Sequence, residues 1–230
     1  MVVQYDFDEM MELLRDEFQV GAFPGKDPEE DERPDRDPFQ VLISTVLSQR
    51  TKDVNTHKAS EALFEKYPTP EAIATAPLDE IKELIRPSGF YNVKAGRVKR
   101  IAKRIHEEFD DQVPEELEVL LDLKGVGRKT ANCVLVYGFG EPAVPVDTHV
   151  HRISNRLGIA DTDDPEETEK VLEEKTPRRY WIEINKLMVQ FGKNICKPRE
   201  PRCEICPLTH MCEYYEEVYE DGNRDRCGKC

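Results

Sequence analysis

Along most of the chain, apolar positions recur at the three-and-four spacing of a helix that buries one face. Phe7, Met10, Met11, Leu14 and Phe18 form the first such stripe and predict an N-terminal helix. Residues 39–47 are almost all apolar and partly β-branched, a pattern that fits a buried strand or a buried helix equally well. Residues 53–67 make a clearer amphipathic helix, stopped by Pro68, and shorter helices fit 70–75 and 78–85. A longer helix with a basic face is predicted over 93–109. Helices over 115–121 and 129–137 flank the turn Gly125-Val126-Gly127. Val150, Ile153 and Leu157 continue the helical spacing, followed by 166–174 and 180–191. The Pro- and Asp-rich stretch 24–38 predicts a loop, and the chain becomes a polar, acidic tail from Tyr214 onward. Nowhere does the two-residue alternation of a strand appear, so the expected fold class is all-α.

Composition adds a packed core and a highly charged surface, with 38% hydrophobic and 35% charged residues. No apolar run approaches the ~20 residues that a membrane-spanning helix needs. Residues 1–19 are acidic and amphipathic, without the basic start and apolar stretch of a secretory signal, so a cytoplasmic protein is expected. The net charge of −14 argues against nucleic acid as a partner until its distribution is considered. Acid concentrates in 27–37, 161–174 and 213–225. Base concentrates elsewhere: Lys94, Arg97, Lys99, Arg100, Lys103 and Arg104; Lys124, Arg128 and Lys129; and Lys197, Arg199 and Arg202. Phosphate contact depends on local charge, so the total is a weak veto.

Seven cysteines in a chain expected to be cytoplasmic point to metal or redox chemistry rather than a disulfide framework. Cys133 stands alone. Cys196, Cys203, Cys206 and Cys212 lie close enough in sequence to close on one soft metal centre, amid proline and basic residues rather than core composition. Cys203 and Cys206 also pair with Cys227 and Cys230 as two CxxC units of zinc-ribbon type. Spacing leaves iron–sulfur and zinc open.

The segment Leu123 to Asn132 carries two glycines one residue apart between two predicted helices. Such glycines permit a tight interhelical turn. Their backbone N–H groups, with the next helix N-terminus, can form a phosphate site that would include Gly125, Gly127, Arg128 and Thr130.

Taken together, these segments resemble the helix–hairpin–helix DNA glycosylases, and endonuclease III in particular. The matching residues are Leu47-Ser48 with Asp53, Gly89-Phe90-Tyr91-Asn92 with Lys94-Ala95, and Leu123 to Asn132. They continue with Val146-Asp147-Thr148-His149-Val150, Arg152, Asn155-Arg156, Gln190-Phe191-Gly192 and the four cysteines. The resemblance runs colinearly from about Phe39 to Tyr214. It implies two helical domains flanking a DNA-binding cleft, over 30–142 and over 1–29 with 143–214, followed by an acidic tail at 215–230. By the same resemblance Lys129 is the catalytic lysine and Asp147 the catalytic aspartate. Cys196, Cys203, Cys206 and Cys212 hold a [4Fe-4S] cluster, and His149, Lys197, Arg199 and Arg202 lie on the DNA side. Residues 39–47 become a buried helix. The partner is double-stranded DNA with a damaged base, and the protein is expected to act as a monomer at the nucleoid.

Elementary chemistry agrees with these roles. A lysine just inside a helix N-terminus sits near partial positive charge, which disfavours its protonation and favours nucleophilic attack at a sugar carbon. An aspartate can stabilise the cationic sugar as the base departs, and Asp147 also stands where a helix N-cap belongs.

The departures from the family pattern are local. Lys124 replaces the usual proline before Gly125. Arg50, not Gln49, occupies the position of the glutamine that fills the gap left by a flipped base, so either side chain is a candidate for that contact. Two other functions fit the same residues: a glycosylase for mismatched or oxidised purines, and a non-catalytic helix–hairpin–helix DNA-binding module with a zinc site.

Overall fold

The computed structural model describes residues 5–18 and 37–220. Among them every regular element is helical, and no strand is present. Cys227, Cys230 and most of the predicted 24–38 loop lie outside the described residues. The chain divides into two compact units, one drawn from Pro34–Glu141 and the other from Met1–Arg33 with Pro142–Cys230.

The middle unit is built around α2 (Pro38–Ser48), which is the ambiguous apolar run resolved as a helix. Asp37 caps it by accepting from the Phe39 N–H at 2.9 Å. Pro38, expected to end a loop, instead opens the helix, where its missing N–H costs nothing. Phe39, Val41, Leu42, Ile43, Val46 and Leu47 are buried, while Gln40, Ser44, Thr45 and Ser48 keep some exposure. Three helices absorb that apolar surface: α3 (Asp53–Lys66), α6 (Tyr91–Phe109) and α8 (Arg128–Val134). Two short helices, α4 (Pro70–Thr75) and α5 (Leu78–Leu84), pack on α6, and α7 (Leu117–Asp122) leads into α8. The predicted helix over 129–137 becomes α8 followed by a wider turn over Leu135–Phe139. There Gly138 lets the backbone approach Pro38, at a spacing that a Cβ would crowd.

The basic face predicted for 93–109 is mostly consumed within the chain. Lys94 is buried, Lys99 donates to the Ala76 carbonyl, and Arg104 reaches Glu108 at 2.8 Å and Asp122 at 2.5 Å.

The second unit joins α1 (Phe7–Phe18) to α9 (Thr148–Arg156), α10 (Pro165–Lys175) and α11 (Trp181–Asn194). Phe7, Met10, Met11 and Leu14 of α1 share one core with Val150 and Ile153 of α9 and with Ile184, Leu187, Met188 and Phe191 of α11. Burying side chains of this size is worth roughly 1.5–3 kcal/mol each, which explains why a helix distant in sequence joins this unit. After α11 the chain winds through short helical turns at Cys203–Ile205 and Thr209–Met211. The expected acidic tail begins later than Tyr214. Tyr214 lies under the Arg156 guanidinium, 4.6 Å from its ring centroid, and Tyr215–Glu220 takes helical turns.

Candidate active site and metal centre

In the middle unit, the hairpin between α7 and α8 is fixed from both sides. Leu123 and Val126 are buried, and the Val126 N–H bonds the Leu123 carbonyl at 2.9 Å. Gly125 adopts φ 103°, and a Cβ there would run into the Arg97 side chain. Gly127 is the N-cap of α8 and faces open space. No side chain of the N-cap residue caps α8, and a helix start of this kind favours an anion. Lys129 sits in that first turn, half-buried, with no hydrogen bond or ion pair among the described residues. Thr130, expected at the DNA surface, is buried and accepts from Gln49 Nε2 at 3.4 Å.

Gln49 and Arg50 form the centre of a tight turn closed by the Thr51 N–H on the Ser48 carbonyl at 3.0 Å. With Gln49 at φ −55°, ψ 117° and Arg50 at φ 53°, this is a type II turn, whose third position normally requires glycine. Gln49 is held inward, since its Oε1 accepts from Arg97 Nη1 at 2.6 Å. Arg50 is exposed. A left-handed arginine costs about 1–3 kcal/mol and signals a conformation kept for function.

In the second unit, Asp147 is the N-cap of α9. Its Oδ1 accepts from the His149 and Val150 N–H groups at 2.8 and 2.9 Å. Its Oδ2 makes no hydrogen bond among the described residues. From the same helix, Arg152 Nη2 reaches His149 Nδ1 at 3.2 Å and the Cys196 carbonyl at 2.8 Å. Gly192 permits this approach of α11, because a Cβ there would meet His149 and Arg152. One turn further, Arg156 donates to Cys196 Sγ at 3.3 Å, the Lys197 carbonyl at 2.7 Å and the Pro198 carbonyl at 3.0 Å.

Cys196, Cys203, Cys206 and Cys212 line one cavity with Arg156, Phe191 and Tyr214. No disulfide joins them. Among the described residues, no three His, Cys, Asp or Glu side chains converge on a single ion. Burial pushes the Cys206 thiol up to about 12 and Cys212 to about 11, and raises Cys203, whose next largest influence is the charge of Cys196. Four partly buried thiols lining one cavity ionise together only around a cationic centre. Beside them, the buried Tyr5 hydroxyl has no hydrogen-bond partner. Burial, then the charges of Cys212 and Cys206, raises its pKa. A polar atom left orphaned next to a ring of thiols fits a centre rich in sulfur acceptors. Lys197 is half-buried, whereas Arg199 and Arg202 are exposed on the loop.

No structural role was read from sequence for the braces Lys94, Arg97, Arg152, Arg156 and Tyr214, although Lys94, Arg152 and Arg156 lie among the matching residues. Their signal was a basic side chain at a core-facing helical position, as with Arg152 and Arg156 interleaved among Val150, Ile153 and Leu157.

A half-buried lysine behind a glycine hairpin in one unit, and a helix-capping aspartate in the other, are residues of the kind expected in a base excision DNA repair protein. The HhH-GPD superfamily of such proteins matches residues 43–178, and the chain belongs to it. Within it the chain belongs to the endonuclease III family. It is 55% identical to endonuclease III of Thermotoga maritima over 190 residues, covering 83% of this chain and 89% of that one. It is 38% identical to the Bacillus subtilis enzyme over 192 residues, covering 83% and 85%. A trapped endonuclease III–DNA covalent intermediate superposes with a TM-score of 0.82 at 34% identity, covering 94% of this chain and 98% of that one. A thermostable thymine-DNA glycosylase gives 0.77 at 28%, covering 91% and 97%.

Proposed function

We propose that this protein is a bifunctional DNA glycosylase and abasic-site lyase that removes oxidised pyrimidines from double-stranded DNA. The observation that carries this reading is the Lys129 amine, half-buried in the first turn of α8 behind the glycine hairpin and committed to no partner among the described residues. The hairpin N–H groups and Arg128 bind the phosphates of the damaged strand. Arg50 enters the space left by the extruded nucleotide. Lys129 Nζ attacks C1′ as the bond to the base breaks, and the Asp147 carboxylate stabilises the positive charge on the sugar. The ring-opened Lys129 imine then draws electrons from C2′. Loss of the C2′ proton expels the 3′ phosphate and cleaves the strand. Cys196, Cys203, Cys206 and Cys212 would hold a [4Fe-4S] cluster, which when bound cross-links the loop carrying Lys197, Arg199 and Arg202. Arg156 and Arg152 fix the backbone of that loop to α9, the helix that Asp147 caps.

Borohydride reduction in the presence of a thymine-glycol duplex tests the reading. It should trap a covalent protein–DNA adduct and yield none with Lys129→Ala. Full strand cleavage by that variant would sink the lyase assignment.

A further inference from the structure

Lys94 is 4% exposed, an uncommon burial for a lysine without a carboxylate partner. Its ammonium instead donates to three oxygens: the Leu47 carbonyl at 2.7 Å, Thr51 Oγ1 at 2.7 Å and the Ser88 carbonyl at 2.8 Å. Thr51 in turn donates to the same Ser88 carbonyl. These oxygens belong to three different features. Leu47 ends α2, Thr51 closes the turn that presents Arg50, and Ser88 leads into the strained pair Gly89 and Phe90, at φ 62° and 48°. Phe90 is 66% exposed, an aromatic side chain displayed from left-handed backbone just as Arg50 is. The Lys94 N–H also bonds the Phe90 carbonyl at 3.1 Å, so one residue holds both sides of that segment. Structurally the ammonium bonds need do no more than satisfy the Leu47 and Ser88 carbonyls, which a helix end and a turn leave without helical partners. They do serve to lock two strained turns to one another.

We propose that Lys94 is a positioning residue for base extrusion: its ammonium ties the Arg50 turn and the Phe90 turn to the end of α2, so that the two exposed side chains meet the duplex as one rigid pair. The proposal rests on the DNA-repair reading above and adds to it a residue that touches neither substrate nor reacting atoms. Arg50 would occupy the gap and Phe90 would stack on a neighbouring base. Both would need a fixed separation to do so together, and a loose pair would lose the preorganisation that extrusion draws on.

The test separates opening of the duplex from the chemistry at Lys129. Lys94→Met keeps the apolar stem and removes the ammonium. Opening is read by the fluorescence of 2-aminopurine placed opposite an abasic analogue in a duplex, and chemistry by borohydride trapping on a single-stranded oligonucleotide with a preformed abasic site. The variant should lose thymine-glycol release and the 2-aminopurine signal by about tenfold or more, while single-strand trapping stays within about twofold. Release and single-strand trapping falling in step, or neither falling, would overturn the proposal. Should Lys94→Met not fold, Thr51→Val removes the hydroxyl shared by Lys94 and Ser88 and should give the same split at smaller amplitude. Failure of the wild type to trap would count against the lyase reading alone, since the 2-aminopurine comparison needs no covalent step.

Discussion

Arg97 donates to the Gln49 side-chain oxygen at 2.6 Å and thereby turns Gln49 toward α8, leaving Arg50 as the side chain presented outward. The sequence left these neighbours as equal candidates for the opposite-base contact. The turn geometry separates them, because the two central positions of a type II turn direct their side chains differently. Arg50→Ala should therefore lower thymine-glycol release by about tenfold and flatten the dependence on the opposite base, measured with four duplexes differing only there. Gln49→Ala should leave that dependence intact and reduce release less.

The hairpin glycines should separate stability from binding. Gly125 has φ 103° and abuts Arg97, so Gly125→Ala is strained and displaces the side chain that holds Gln49. It should cost about 1–3 kcal/mol in urea unfolding. Gly127 has ordinary backbone and open space around it. Gly127→Ala should leave stability within about 0.5 kcal/mol and weaken duplex binding, because the added methyl stands where a phosphate approaches.

Asp147 has a structural task as the cap of α9 and a chemical one in the proposed mechanism, and a single substitution can divide them. Asparagine caps a helix as well as aspartate does. Asp147→Asn should keep the unfolding midpoint and lose base release by about a hundredfold, whereas Asp147→Ala should lose both, the cap being worth ~1 kcal/mol.

Metal content distinguishes iron from zinc. The protein should be brown as purified, with about four irons and matching acid-labile sulfide per chain. Cys206→Ser should lose colour and thermal stability together. A colourless protein with one zinc would refute the cluster.

Lys94 also makes stability depend on pH. Burial, and after it the like charge of Arg97, lowers its amine from 10.5 to about 8. Between those values the unfolded chain holds a proton that the native chain has lost, so this residue's contribution to stability rises with pH across that window. The unfolding free energy of wild type relative to Lys94→Met should climb between pH 8 and 10, by at most ~1.4 kcal/mol per pH unit. A flat difference would contradict the lowered value.

How much of this was legible in the sequence follows from the range of each interaction. Helix positions are set by local periodicity, and most boundaries fell within a residue or two. Periodicity alone left the run 39–47 open, because its few polar positions, Gln40, Ser44 and Thr45, mark a helical face only weakly against six buried apolar residues. The hairpin and the cysteine spacing are short patterns and were readable. The braces were not: Lys94, Arg97 and Arg156 looked like surface charge, because their partners are mainly carbonyls, a thiol and an amide, which carry no sequence signature. The basic face of α6 failed for another reason, as Lys103 and Arg104 pair with acids supplied by their own helix and by α7.

The packing of α1 against α11 has a consequence for biosynthesis. Met10, Met11 and Leu14 share a core with Leu187, Met188 and Phe191, so α1 must wait for a helix made well over a hundred residues later. The unit drawn from Pro34–Glu141 has no such dependence and can fold while synthesis continues. The apolar stripe of α1 is thus exposed until α11 is made, a period in which chaperones would be its natural shelter. Its closure coincides with emergence of the four cysteines, so completion of that core and loading of the proposed cluster would fall close together.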